Sequence, residues 1–105
     1  MSKEIKISKY KAKRKKKTYL CNYICYNSLS TYLACSFQEE DQEDESENRG
    51  DGEIMIYSLI RNEITWEVSR DFDLASIKGM EFHPRYPNIL LTADANGKII
   101  LLDIH

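Results

Sequence analysis

Met80-Glu81-Phe82-His83-Pro84-Arg85-Tyr86-Pro87-Asn88-Ile89-Leu90-Leu91-Thr92-Ala93-Asp94-Ala95-Asn96-Gly97-Lys98-Ile99-Ile100-Leu101-Leu102-Asp103 decides the fold. Short apolar runs rich in β-formers alternate with turn residues. Ile77–Phe82, Ile89–Ala93 and Lys98–Ile104 are predicted strands. Pro84 and Pro87 stop the ladder between the first two. Asp94-Ala95-Asn96-Gly97 joins the last two, and Asn96-Gly97 within it is a pair favoured in tight hairpins.

The same texture extends upstream. Tyr19–Tyr26 and Thr31–Phe37 are aromatic, β-branched and small-residue runs separated by Asn27-Ser28-Leu29-Ser30. Glu53–Ile60 is apolar on alternate and intervening positions, as suits a strand covered on both faces. Met55, Tyr57 and Leu59 then need cover opposite Ile54 and Ile56, and a pair of sheets alone leaves much of that surface wet. Ile64, Trp66 and Val68 alternate with polar residues, so that strand is half-exposed, with Trp66 on its core side. No apolar stripe at helical spacing appears. The chain is therefore predicted to be all-β, with antiparallel neighbours joined by short turns.

These pieces recur. Ile24–Asn27 corresponds to Met80–His83, Tyr32–Cys35 to Ile89–Thr92, and Gly52–Ile56 to Gly97–Leu101. An acidic insert between the second and third strands of the first copy lengthens its spacing. Without it the period is close to the ~40–45 residues of a four-stranded propeller blade.

The run Glu81-Phe82-His83-Pro84, then Pro87–Ala93, then Asn96–Asp103 resembles a WD-repeat blade. Leu102-Asp103 stands where that family has Trp-Asp, and the first copy has Tyr57-Ser58. No Gly-His pair precedes Ile77, and Asn96 replaces the turn aspartate, so the family's buried Asp–His network is expected to be absent or weakened. The His-Pro-x-x-Pro turn, the Leu-rich strand and the Lys-rich lead-in are most similar to bromodomain-containing WD-repeat proteins. The resemblance implies antiparallel four-stranded blades of an incomplete β-propeller: one blade over 19–69, with insert 38–51, and an incomplete one over 70–105. It also implies a protein-interaction scaffold without catalysis, part of a longer protein or needing further blades in trans.

Charge is uneven beneath a net −2. Residues 1–17 hold nine Lys/Arg and one acid; 39–51 hold eight acids and one Arg. The tail over 1–18 is expected to be disordered by self-repulsion. Lys11, Lys13, Arg14, Lys15, Lys16 and Lys17 form a nuclear-import-like or phosphate-binding run, so a chromatin- or nucleic-acid-associated module is the alternative function. Glu39, Glu40, Asp41, Glu43, Asp44 and Glu45 in the insert are candidate contacts for basic protein tails. In WD-repeat propellers that connection opens on the rim where partners dock. Arg70, Asp71 and Asp73, in the loop entering the next inner strand, share that rim.

Three cysteines, Cys21, Cys25 and Cys35, do not make a secreted disulfide framework, so a nuclear or cytoplasmic setting is expected. In an unbroken strand Cys21 and Cys25 fall on one side, about 13 Å apart, too far for one metal ion. No apolar run approaches the roughly 18–20 residues of a membrane span, and none follows the basic N-terminus as a secretory signal requires. No phosphate loop, catalytic triad or calcium loop is present, and neither cofactor, metal nor catalytic residue is expected.

Overall fold

The computed structural model describes residues 19–39 and 52–104. The expected tail over 1–18 and residues 40–51 of the acidic insert lie outside them. The described chain is all-β apart from one 3₁₀ turn, Val68–Arg70. Its strands are β1 (Tyr19–Tyr26), β2 (Tyr32–Glu39), β3 (Glu53–Ser58), β4 (Glu63–Glu67), β5 (Ile77–Phe82), β6 (Ile89–Asp94) and β7 (Ile99–Asp103). They form two antiparallel sheets, ordered β1-β2-β3-β4 and β5-β6-β7. No helix among the described residues is long and apolar enough to cross a membrane.

Alternation along the strands decides which side chains meet. Ala34, Ile54 and Ile56 point from the front of the first sheet towards the second. There they pack with Leu90, Leu102 and Ile104 from the back of the second sheet. Val68, Leu74, Ile77 and Phe82 complete this core. Each Val, Leu, Ile and Phe side chain among them contributes roughly 1.5–3 kcal/mol by burial. On the back of the first sheet Leu33, Cys35, Phe37 and Met55 form a second buried cluster. Met55 is therefore not wet, contrary to the sequence expectation; Tyr57 and Leu59 pack against the cluster and are half-buried. Exposure falls instead on the front of the second sheet. Leu91, Ile99 and Leu101 are 43%, 71% and 66% exposed, whereas their repeat equivalents Ala34, Ile54 and Ile56 are each 0%.

The repeat also recurs in the backbone. β1 slips register between Cys21 and Tyr23, and β5 slips between Ile77 and Gly79, 56 residues on. In each case one extra residue, Asn22 or Lys78, is accommodated as a bulge. This corrects the expectation for the thiols. Asn22 shifts the pleat, so Cys21 lies by Phe37 and Cys35 on the back face, while Cys25 opposes Ala34 on the front. A strand without a bulge would keep both on one side.

The two first strands lie side by side. Asn22 Nδ2 donates to the Ile77 carbonyl at 3.2 Å, and Ser36 Oγ donates to Asn22 Oδ1 at 2.6 Å. At the opposite rim, Asn27 is fully buried; its Oδ1 accepts from the N–H groups of Thr31 and Tyr32, and its Nδ2 donates to Pro87 O. Its repeat equivalent, His83, does the same local work, Nδ1 accepting from the Arg85 and Tyr86 N–H groups.

Candidate functional site

Three connections meet at one rim: the β2–β3 connection returning at Gly52, residues 68–76 between β4 and β5, and the β6–β7 turn. Gly52 N–H donates to Leu74 O at 2.8 Å. Ala95 N–H donates to Ser76 O, also at 2.8 Å. The segment 74–76 is thus held from both sides. Gly52 is needed there for space: a Cβ would sit 1.9 Å from Ala75 O.

Asp94 is the polar centre of this rim. Its carboxylate is buried; Oδ1 accepts from the N–H groups of Asn96 (3.0 Å) and Lys98 (2.9 Å), and Oδ2 from Ala75 N–H (3.1 Å). It thereby joins the β6–β7 turn to the segment entering β5. Nothing local in the sequence marks its partner Ala75, 19 residues away. The only clue is an acidic residue at the exit of an otherwise apolar strand. The turn is one residue shorter than the expected connection 94–97, because Asp94 belongs to β6. Asp94 N–H donates to Lys98 O and Gly97 N–H to Asp94 O, leaving the three residues 95–97 outside the pair. Gly97 alone there has a positive φ, 78°, as a type I turn closed by a left-handed residue requires.

Trp66 packs on the core edge-on to Phe72, with ring centroids 6.3 Å apart. Its Nε1 donates to Asp71 Oδ2 at 2.7 Å, which fixes the start of the 71–76 segment. Ser69 Oγ donates to the carboxylate of Glu53 beneath it.

The sequence-predicted residues distribute as follows. Asp71 and Asp73 are exposed on this rim, and the Asp73 carbonyl accepts from Lys98 Nζ at 3.0 Å. Arg70 closes the 3₁₀ turn beside them. Glu39 ends β2, opposite Tyr19 at the start of β1. Glu40, Asp41, Glu43, Asp44 and Glu45, and all of Lys11–Lys17, lie outside the described residues.

The cysteines are chemically quiet. Burial pushes the Cys35 thiol up to about 12, with neighbouring Cys21 adding to it. Burial likewise raises Cys25 to about 11, and raises Cys21. Native-state alkylation is expected to take exposed Cys21 first and to reach Cys35 only on unfolding, as peptide mass spectrometry will show. Between the ordinary thiol value of 9.0 and these raised values, the folded chain holds protons that the unfolded chain loses. Stability is full below pH 9.0 and falls as pH rises above it. A Cys35→Ser variant is expected to lose less stability between pH 8 and pH 10 in urea titrations (roughly the thiol range).

Compared with known proteins, the chain matches no family model and no curated protein.

Proposed function

We propose that the chain is a non-catalytic protein-interaction scaffold built of WD-repeat-like propeller blades. The four-stranded sheet is the first blade, and the three-stranded sheet belongs to the second, incomplete one. The observation that carries this reading is the stacking direction. The front of one sheet packs on the back of the next, between repeat-equivalent positions: Leu90 answers to Leu33, and Leu102 to Tyr57. A sandwich of two unrelated sheets has no reason to preserve that correspondence, whereas a propeller repeats it around a ring. The exposed Leu91, Ile99 and Leu101 supply the surface on which a further blade, of a longer chain or in trans, stacks.

The recognition surface in this reading is the rim of Arg70, Asp71 and Asp73, with the acidic insert rooted beside it. Its partner is a protein with a basic tail, drawn in by opposite charge, in the nucleus or cytoplasm. Titrating the full chain with a Lys/Arg-rich peptide tests this. Replacing Asp71 and Asp73 with Asn is expected to weaken binding by about threefold to tenfold. Replacing Lys13, Arg14, Lys15, Lys16 and Lys17 with Ala is expected to leave it unchanged. Loss of function confined to the basic-run variant, with duplex DNA affinity falling steeply between low and moderate salt, overturns the scaffold in favour of a nucleic-acid-associated module.

A further inference from the structure

Asn27 and His83 hold equivalent places, one just after β1 and the other just after β5. Each side chain accepts two main-chain N–H groups of the turn that follows it. Asn27 Oδ1 takes those of Thr31 and Tyr32 at 2.8 and 3.1 Å; His83 Nδ1 takes those of Arg85 and Tyr86 at 3.0 and 3.1 Å. An amide oxygen accepts at every pH, whereas an imidazole nitrogen accepts only while it carries no proton. The acceptor role of Nδ1 assigns the neutral ring's proton to Nε2, which has no hydrogen-bond partner among the described residues. Nothing but Nδ1 and the tilted Tyr86 ring, 4.7 Å away by centroid, therefore holds the imidazole in place. The turn it closes also ties the two sheets together. Pro87 O accepts from the buried Asn27 Nδ2 at 3.1 Å, and Asn88 O accepts from Ile104 N–H at 2.7 Å.

We propose that the β5–β6 turn is a pH-sensitive latch between the sheets, closed by neutral His83 and released when its imidazole takes a second proton. That proton goes to Nδ1 and turns the acceptor into a donor aimed at two N–H donors. Both hydrogen bonds are lost together, and the ring has to leave the turn. Once the turn is free, Pro87 O no longer stays fixed over Asn27. The sign follows directly: the latch is closed at neutral pH and opens as pH falls. The first repeat, with Asn27 in the same role, has no such response. The charged and titratable groups around His83 are Arg85 and Tyr86 in its own turn, Glu81 on the same face of β5, and Asp103, which shares its row across β6. The β1–β2 turn packed against it, residues 27–31, carries no charge. Of these residue types only imidazole ordinarily changes charge between about pH 5 and pH 8.

Nuclear magnetic resonance of the full chain, titrated between about pH 8 and pH 5, tests this. The Arg85 and Tyr86 amide resonances are expected to move with the same midpoint as the His83 ring protons. Those of Thr31 and Tyr32, held by Asn27, are expected to stay in place. The Asn27 side-chain amide is expected to lose protection by about tenfold over the same range, measured against an unstructured primary amide at each pH. In His83→Asn, whose Oδ1 takes the place of Nδ1, the Arg85 and Tyr86 resonances are expected to stand still and Asn27 to keep its protection. Arg85 and Tyr86 amides that ignore the His83 ring titration in the unaltered chain overturn the latch. So do amide shifts that persist in His83→Asn, which assign the response to Glu81, Asp103 or His105. Constant Asn27 protection while the two amides move also overturns it, since the turn then titrates without releasing the sheets. If His83→Asn does not fold, the agreement or disagreement of the midpoints in the unaltered chain decides.

Discussion

Gly52→Ala is expected to destabilise the protein by about 3 kcal/mol or more. The added Cβ would meet Ala75 O at 1.9 Å and the Ala75 carbonyl carbon at 2.8 Å. Both are main-chain atoms of a buried segment, so no side chain can swing aside. The segment has to move, and it cannot move alone. Leu74 is buried against the core and accepts the Gly52 N–H; Ala75 donates to Asp94; Ser76 accepts from Ala95. Overpacking of this kind costs roughly 1–3 kcal/mol, and each broken hydrogen bond adds about 1. Gly79→Ala is the matched control. Its Cβ would meet nothing within 4 Å, and the residue lies in a strand. That change is expected to be neutral or slightly stabilising, since glycine weakens strand interiors. Urea midpoints followed by circular dichroism separate the two, and equal midpoints would show that the 74–76 segment yields freely.

Asp94→Ala is expected to cost about 2–4 kcal/mol. Three N–H groups, those of Ala75, Asn96 and Lys98, lose their acceptor at once. The Ala75 bond is buried, and no water replaces the carboxylate without a cavity to hold it. Asp94→Asn discriminates among the three. Its remaining oxygen can still serve Asn96 and Lys98, but its amide nitrogen turns a donor towards the Ala75 N–H. The cost is then expected to be intermediate, and concentrated in the link between the sheets rather than in the β6–β7 turn. Hydrogen exchange would place it there: Ala75 is expected to lose protection in both variants, Lys98 only in the alanine one. Equal stability of all three proteins would remove Asp94 from its role at the rim.

Much of the architecture was legible because strands advertise themselves by alternation and turns by their residue types. Ile77–Phe82 and Tyr19–Tyr26 have the bounds their composition implies. Other boundaries move by a residue or two where pairing, not composition, sets the end: β2 runs to Glu39 because Tyr19 pairs there. Single-residue irregularities left no trace. Asn22 and Lys78 look like ordinary strand residues, yet each bends its strand, and the first reverses the side on which Cys21 lies. Asp94 reads as the first turn residue, yet it ends β6, and its carboxylate shapes the turn that follows. Gly52 reads as turn punctuation in sequence; its requirement for space comes from Ala75, 23 residues away. Of the rim, Asp71 and Asp73 were found because charge in a loop is visible locally. Asp94 was missed because its work is long-range.

The seam at the rim runs largely through main-chain atoms: Leu74, Ala75 and Ser76 contribute their amides and carbonyls to it. Peptide groups are common to every amino acid, so the 74–76 frame does not depend on the side chain at 73, whereas the Asp71 carboxylate still anchors its start through Trp66. The wording of this surface can therefore change while its grammar rests on two positions, 52 for its lack of a side chain and 94 for its carboxylate.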